Sequence, residues 1–334
     1  MLIRTLKNYQ PLNFILFLAI SILVWIKPLT SAHIPGIYID PSPMPIYGWI
    51  VGLLGSPQLN ILCKLLAFLL VLFQAILING ITNQYNLLGF RGYLPGIFFI
   101  LINSTFTDYQ ILHPILFSNL LLLFAWERVI RAYEKANTFE AYFNASFLIG
   151  LASLFYPNYT YFLIILMLSV GMNRVGHLRE FAMVFVGFIA VWYFYLGIYY
   201  VFTSSIQFSG LGNDFSFSFP KYSKILISQK IILIYCGILL LIASLQLGGY
   251  ISNLKIPMRR NLKFLFLWFW LGISILLFTK SSIEIIYIVS IPTAVLFSMF
   301  FVNFKKVWVR ETLWISFILL IILNQVFPNI LSLK

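Results

Sequence analysis

The sequence predicts an all-α, polytopic integral membrane protein, and three observations support this fold class. Of its 334 residues, 61% are hydrophobic and only 9% are charged, which is too few charged side chains for the surface of a soluble domain. The apolar residues form long runs that short polar connections separate. All nine arginines fall in connections that one alternating topology places on the same side of a membrane, as the positive-inside rule expects of the cytoplasmic side.

The apolar runs predict about eleven transmembrane helices, in a single transmembrane domain that covers residues 1–334. A helix needs about 20 mostly apolar residues to cross the hydrocarbon core of a bilayer, so this number of crossings leaves little chain for a separate soluble domain. We read the first run as an uncleaved span, because a signal-peptide cleavage pattern after it is poor. The predicted spans lie near residues 12–27, 59–79, 93–106, 114–126, 141–156, 158–171, 181–203, 231–251, 264–279, 284–303 and 312–327.

The arginines determine the predicted orientation of these spans. A cytoplasmic N-terminus places all of them inside, as expected for a multi-pass protein of the inner membrane. The spans at 93–106 and 114–126 are short enough to form a re-entrant hairpin. Nine spans plus one such hairpin would keep every later segment on the same side, so this alternative remains open. The arginines concerned are Arg4, Arg91, Arg128, Arg131, Arg174, Arg179, Arg259, Arg260 and Arg310.

Two long connections are predicted to lie on the exterior side. Residues 28–58 contain six prolines, which favour a rigid and mostly extended path. Within this first exterior loop, residues 46–54 are apolar enough to form a short interfacial helix. Residues 204–230 form the second long loop, which is either a lid that dips into the bilayer or an unstructured connection.

The charge, the sequence motifs and the positions of cysteine and histidine argue against several classes of function. The formal net charge of +13 is assigned to cytoplasmic connections that face anionic lipid headgroups, and no nucleic-acid partner is expected. No G-x-x-x-x-G-K-[ST] motif is present, so we expect no P-loop nucleotide-driven motor. Cys63 and Cys236 lie in apolar runs and are interpreted as small core residues. The histidines are scattered along the chain, so neither a metal site nor a cofactor is predicted.

The exterior acids are the candidates for chemistry. Asp40 lies in the proline-framed first loop, which would hold its carboxylate in place, and Asp108 precedes His113 on the next exterior connection. A carboxylate near a low-dielectric boundary with a titratable neighbour is a possible general base. The alternative makes Asp108 a helix cap and His113 an interface residue, both in contact with lipid headgroups.

One cation, Lys64, lies inside a predicted span. It could bind the phosphate of a lipid-linked substrate together with Lys27, or its side chain could extend back to the headgroups. Amides within the spans could line a cavity, but hydrogen bonding between helices is the expected role. These amides include Gln74, Asn79 and Asn119.

The layout of residues 1–200 resembles the GT-C superfamily of membrane glycosyltransferases. The similarity is topological: an inside N-terminus, a first span, a long exterior loop with the acid Asp40, and a second acid, Asp108, on the next exterior connection. Members of that superfamily transfer a sugar from a polyprenyl-phosphate donor at the outer face of the membrane. The resemblance implies that Asp40 acts as base, that Asp108 and His113 orient acceptor or donor, and that Lys64 with Lys27 neutralises the phosphate.

The chain also departs from this superfamily. Many relatives carry paired acids soon after the first span, whereas Asp40 stands between Ile39 and Pro41, and the exterior soluble domain of some relatives is missing. The chain is also similar to uncharacterised bacterial multi-spanning families, which imply no activity.

Three functions therefore remain open. The first is a GT-C-like glycosyltransferase that acts on a polyprenyl-phosphate-linked sugar. The second is a transporter or lipid flippase, although the absence of acids deep in the spans argues against proton coupling. The third is a non-catalytic subunit of a cell-envelope complex, whose partners would be membrane lipids and other envelope proteins.

Overall fold

The computed structural model describes residues 10–40, 43–106, 110–134, 138–172, 178–203, 227–251, 254–278, 286–304 and 306–326. The regular structure in these ranges is entirely helical. Twelve α-helices are present there: α1 (Pro11–Thr30), α2 (Pro45–Leu54), α3 (Asn60–Gln84), α4 (Leu94–Asn103), α5 (Pro114–Glu134), α6 (Phe139–Ser153), α7 (Phe162–Met172), α8 (Leu178–Thr203), α9 (Ile227–Ile251), α10 (Ile256–Phe278), α11 (Ile286–Asn303) and α12 (Val307–Val326).

The all-helical fold class is confirmed, and a helix overlaps every predicted span. The apolar segment 46–54 also forms a helix, α2. Asp108 and residues 204–226 of the second long exterior loop lie outside the described residues. Five helical segments in the described ranges are long and apolar enough to cross a membrane: Pro11–Thr30, Pro57–Gln84, Leu178–Val201, Ile286–Asn303 and Val307–Gln325. The full number of crossings and their direction stay predictions.

Two helices form the centre of the bundle. All ten residues of α4 are buried, and α11 is buried along most of its length. A ten-residue helix is only about 15 Å long, roughly half the hydrocarbon thickness of a bilayer. The described residues that directly flank α4, Gly92, Tyr93 and residues 104–106, are also buried, so their backbone polar groups must find partners within the protein. At Gly92, for example, the side-chain amide of Asn83 both accepts from the N–H and donates to the carbonyl.

The outer helices α1, α8 and α12 expose rows of large apolar side chains. Leu23 on α1, Tyr193 on α8 and Ile315 on α12 are all more than half exposed. A soluble protein rarely presents so much contiguous apolar surface. This exterior is compatible with contact to lipid chains.

Contacts near the helix ends bring together three connections that are predicted to be cytoplasmic. Nε of Arg131, near the end of α5, donates to the hydroxyl of Tyr85, which follows α3, at 3.1 Å. The guanidinium of Arg260, at the start of α10, lies 5.6 Å from the centre of the Tyr133 ring. Arginines of two connections and a tyrosine of the third therefore lie together at one end of the bundle.

The predicted interhelical role of the buried amides is confirmed for three of them. Gln74 Nε2 donates to the carbonyl of Leu116 at 2.8 Å, and Asn119 Nδ2 donates to the carbonyl of Tyr287 at 2.9 Å. Asn79 Oδ1 accepts from the Gly96 N–H at 2.7 Å.

Glycine at position 96 allows α4 to approach α3 closely. A Cβ atom on Gly96 would lie 2.3 Å from Asn79 Nδ2 and 2.7 Å from the Ala75 carbonyl oxygen. We expect Gly96→Ala to lower the free energy of unfolding by roughly 1–3 kcal/mol through overpacking, measured as thermal stability in detergent. Gly80→Ala is the matched control, because a Cβ there meets nothing within 4 Å. An unchanged midpoint for Gly96→Ala would contradict the close packing.

Candidate functional site

The loop that begins after α1 pairs with the connection between α4 and α5. Ile37 and Leu112 form a parallel bridge, in which the Tyr38 N–H donates to the Leu112 carbonyl at 3.0 Å and the Leu112 N–H donates to the Gly36 carbonyl at 2.8 Å. Glycine is required at position 36, because a Cβ there would lie 2.2 Å from the carbonyl oxygen of Asn60. The loop is thereby held against both this connection and the start of α3.

The side chain of Tyr47 connects the two paired segments through hydrogen bonds. The hydroxyl of Tyr47 lies 2.6 Å from the Tyr38 carbonyl and 3.0 Å from the Leu112 carbonyl. Burial, with smaller contributions from Tyr38 and the carboxylate of Asp40, raises the pKa of Tyr47. Its hydroxyl therefore stays protonated and serves as a donor to the backbone.

His113 lies beside the same junction and is 1% exposed. Its ring centre is 4.4 Å from that of Tyr38 and 6.1 Å from that of Tyr156. Its Nδ1 accepts a hydrogen bond from the Ile115 N–H at 3.2 Å. His113 is thus a buried residue directly before α5, in contact with two aromatic rings.

Asp40 lies at the edge of the junction and is half-buried, next to the exposed side chain of Ile39. It lies two residues after Tyr38, whose carbonyl accepts from the Tyr47 hydroxyl. The structure thus brings the loop that carries Asp40 to the connection that carries His113. Asp108, predicted to act with them, lies outside the described residues.

The two predicted phosphate-binding lysines contact the C-terminal ends of neighbouring helices. Nζ of Lys64, a residue that is 1% exposed, donates to the carbonyl of Ser31 at the end of α1 at 2.5 Å. Nζ of Lys27 donates to the carbonyl of Gln325 in the last turn of α12. A helix C-terminus carries partial negative charge and unsatisfied carbonyls. Each ammonium therefore caps a helix.

Proline at position 28 creates a polar junction that joins α1, α4 and α12. Because Pro28 has no N–H, it leaves the carbonyl of Val24 without its helical donor. That carbonyl instead accepts from Gln325 Nε2 at 3.2 Å and lies 3.4 Å from Gln110 Nε2. Gln325 Nε2 also donates to the Ser104 carbonyl at 2.8 Å. These hydrogen bonds connect the C-terminal ends of α1 and α12 to the segment between α4 and α5, which also pairs with the loop after α1.

An apolar cavity of about 330 Å³ lies next to this polar junction. Its walls come from α9, α10 and α11, with Ile102, Thr105 and Phe106 from the end of α4. Thr105 connects the two features, because it lines the cavity while its carbonyl accepts from Asn324 Nδ2 at 2.7 Å. Ligand pockets commonly have volumes of about 300–1,000 Å³, so the cavity can hold a ligand group.

Several residues of these junctions are not identified by the sequence analysis. Tyr47 and Gln325 look like ordinary members of apolar runs, because their partners are backbone carbonyls far away in the chain. Pro28 is predicted to begin the loop of residues 28–58, but it lies inside α1, which continues to Thr30, so the freed Val24 carbonyl is not expected from the predicted bounds. Among the described residues, no three His, Cys, Asp or Glu side chains come together as a metal-binding group.

Comparison with known proteins assigns no activity to this geometry. A family model described as "Family of unknown function (DUF6427)" matches residues 53–333, which is most of the chain. No curated protein and no solved structure matches the chain.

Proposed function

This chain belongs to a family of unknown function, DUF6427, and we propose that it is a GT-C-like glycosyltransferase of the inner membrane. It uses a polyprenyl-phosphate-linked sugar at the exterior face. The observation that carries the proposal is the Ile37–Leu112 bridge, which joins the loop of Asp40 to the connection of His113. The apolar cavity opens off the end of α4 near the same connection. A lipid-linked sugar needs both a polar reaction site and an apolar site beside it.

The proposed topology has a cytoplasmic N-terminus and about eleven crossings, of which α4 is one. Tyr93, just before α4, packs against Phe14 and Phe17 in the first half of α1. Ser104, just after α4, accepts from Gln325 near the end of α12. The chain therefore advances from one end of the bundle toward the other along α4. This path favours a membrane crossing in which α4 is a short central helix. It argues against a re-entrant hairpin, whose two ends would lie at the same end of the bundle.

In the proposed reaction, the carboxylate of Asp40 accepts the proton of an acceptor hydroxyl. The acceptor oxygen attacks the anomeric carbon of the sugar, the bond between that carbon and the phosphate oxygen breaks, and polyprenyl phosphate leaves. Positive charge stabilises the departing phosphate. Lys27 suits this role better than Lys64, because its side chain is only half-buried whereas Lys64 is enclosed. His113 is as buried as Lys64, so it orients the acceptor or the donor through the Tyr38 ring that it contacts.

Lipid analysis of a deletion strain tests this proposal. The strain that lacks the protein is expected to accumulate a polyprenyl-phosphate-linked sugar, detected by mass spectrometry of total lipid extracts. Complementation with the wild-type gene should return the pool to its normal size. An unchanged pool of lipid-linked sugars in the deletion strain would contradict the proposal.

A second candidate is a non-catalytic subunit of a cell-envelope complex. It is favoured by the two lysines, since both donate to backbone carbonyls at helix C-termini and so have a structural role. Copurification with other envelope proteins at fixed stoichiometry in mild detergent, together with an unchanged lipid-linked sugar pool, would support this function. A transporter or flippase is less well supported, because no charged side chain that could couple transport to an ion lines the cavity.

A further inference from the structure

The apolar cavity lies between three helices. It is lined by residues 232–241 of α9, residues 269–273 of α10 and residues 286–297 of α11. Both α9 and α10 pack against α11, and the cavity separates them. The space is therefore a cleft between two helices that share a common support.

The cavity presents almost no polar group to an occupant. Its two threonine hydroxyls donate to carbonyls of their own helices, Thr105 to Leu101 at 3.1 Å and Thr293 to Ser290 at 2.9 Å. The remaining lining is apolar apart from the thiol of Cys236 and the indole N–H of Trp270. A charged or hydroxyl-rich group would lose its hydration there without gaining partners. The lining therefore selects a hydrocarbon.

The rim of the cavity faces the apolar exterior of the bundle. Leu241 on α9 and Trp270 on α10 line the cavity and are 59% and 56% exposed. Water does not surround these side chains in a bilayer; lipid chains do. A chain can enter sideways between α9 and α10 without crossing a polar surface.

We propose that this cleft binds one hydrocarbon chain of a membrane lipid, which enters laterally between α9 and α10. The lipid headgroup then lies near the polar junction of Thr105 and Asn324. A phospholipid acyl chain and the prenyl chain of a carrier lipid have the same chemistry here. The site does not depend on the transfer reaction, although a bound prenyl chain would place a carrier phosphate on the side of the bundle that holds Lys27.

Gly237 provides the variant that tests this site. It lines the cavity, and a Cβ added there meets nothing within 4 Å. A phenylalanine at this position can fill the cleft without a backbone clash. Gly197 on α8 is the matched control, because its added Cβ also meets nothing and it lies outside the cavity.

The experiment uses the full chain in nanodiscs of phosphatidylethanolamine and phosphatidylglycerol. One arm contains a phosphatidylethanolamine with a diazirine in its acyl chain, and the other contains a diazirine-bearing polyprenyl phosphate. After irradiation, labelled peptides are mapped by mass spectrometry. We expect concentrated labelling of the peptide that spans residues 232–241 in at least one arm. Labelling in the acyl arm identifies a phospholipid as the source of the chain, and labelling in the prenyl arm identifies a carrier lipid.

The variants determine whether the labelled position is the cleft. Gly237→Phe is expected to reduce this labelling about tenfold, which corresponds to roughly 1.4 kcal/mol of lost binding free energy. Gly237→Ala and Gly197→Phe are expected to retain it. Labelling spread evenly over all apolar helices, or unchanged by Gly237→Phe, would overturn the proposal. Asp40→Asn should leave the labelling intact, so failure of the transfer reaction and failure of the lipid site are distinguishable.

Discussion

Replacing Asp40 by asparagine is expected to reduce sugar transfer by about 10²–10⁴-fold, the usual contribution of a general base. The amide keeps the size of the side chain but cannot accept the acceptor proton. The substrate for the assay is the lipid-linked sugar that accumulates in the deletion strain, supplied to membranes that contain the variant. Transfer is measured as the loss of this lipid and the release of polyprenyl phosphate.

The neighbouring Ile39→Ala variant is the control for this prediction. Its side chain is 66% exposed and has no assigned part in the reaction, so transfer should be unchanged. The amount and thermal stability of the Asp40→Asn protein are compared with those of the wild type. Full transfer by a well-folded Asp40→Asn protein would remove Asp40 from the mechanism.

Lys64→Glu is expected to prevent accumulation of folded protein. The carboxylate cannot donate to the Ser31 carbonyl, and it would be buried against the negative end of α1. An uncompensated buried charge costs roughly 3–5 kcal/mol, a large fraction of the stability of a typical domain. The measurement is the amount of monodisperse protein on size exclusion in detergent, followed over a temperature series.

The Lys64→Gln variant distinguishes two functions of Lys64: capping the C-terminus of α1 and binding the substrate phosphate. Glutamine keeps an N–H donor for the Ser31 carbonyl and removes the charge, so the protein should fold with a modest loss of thermal stability. If Lys64 also holds the substrate phosphate, transfer will fall in this folded variant. If Lys64→Glu had the thermal stability of the wild type, Lys64 would not stabilise the protein by capping α1.

The helical architecture is readable from the sequence because it depends on local properties. Apolar runs, prolines and short polar connections predict a helix at each span and at the apolar segment 46–54, and the structure contains a helix at each of these places. Bounds are less predictable: α5 continues to Glu134, well beyond the predicted end at 126. Its last turns are polar, so apolar content alone cannot reveal that they are helical.

The site is only partly readable, because its contacts join distant residues through backbone atoms. Asp40 and His113 are identified as candidates from residue type and predicted side. Nothing in the sequence shows that Tyr47 bonds to the Leu112 carbonyl, since any residue has a carbonyl. The lysines illustrate the same limit: their charge and depth suggest an anion, whereas the structure gives them helix C-termini as partners.

The most direct test of the account is which side of the membrane each end of the bundle faces. Single cysteines are introduced at Ile39, beside Asp40, and at Leu178, the exposed first residue of α8, after Cys63 and Cys236 are replaced by alanine. Spheroplasts are treated with a membrane-impermeant maleimide before and after permeabilisation. The account predicts labelling of position 39 in intact spheroplasts and of position 178 only after permeabilisation. Labelling of both from the same side, or the reverse order, would contradict an exterior site.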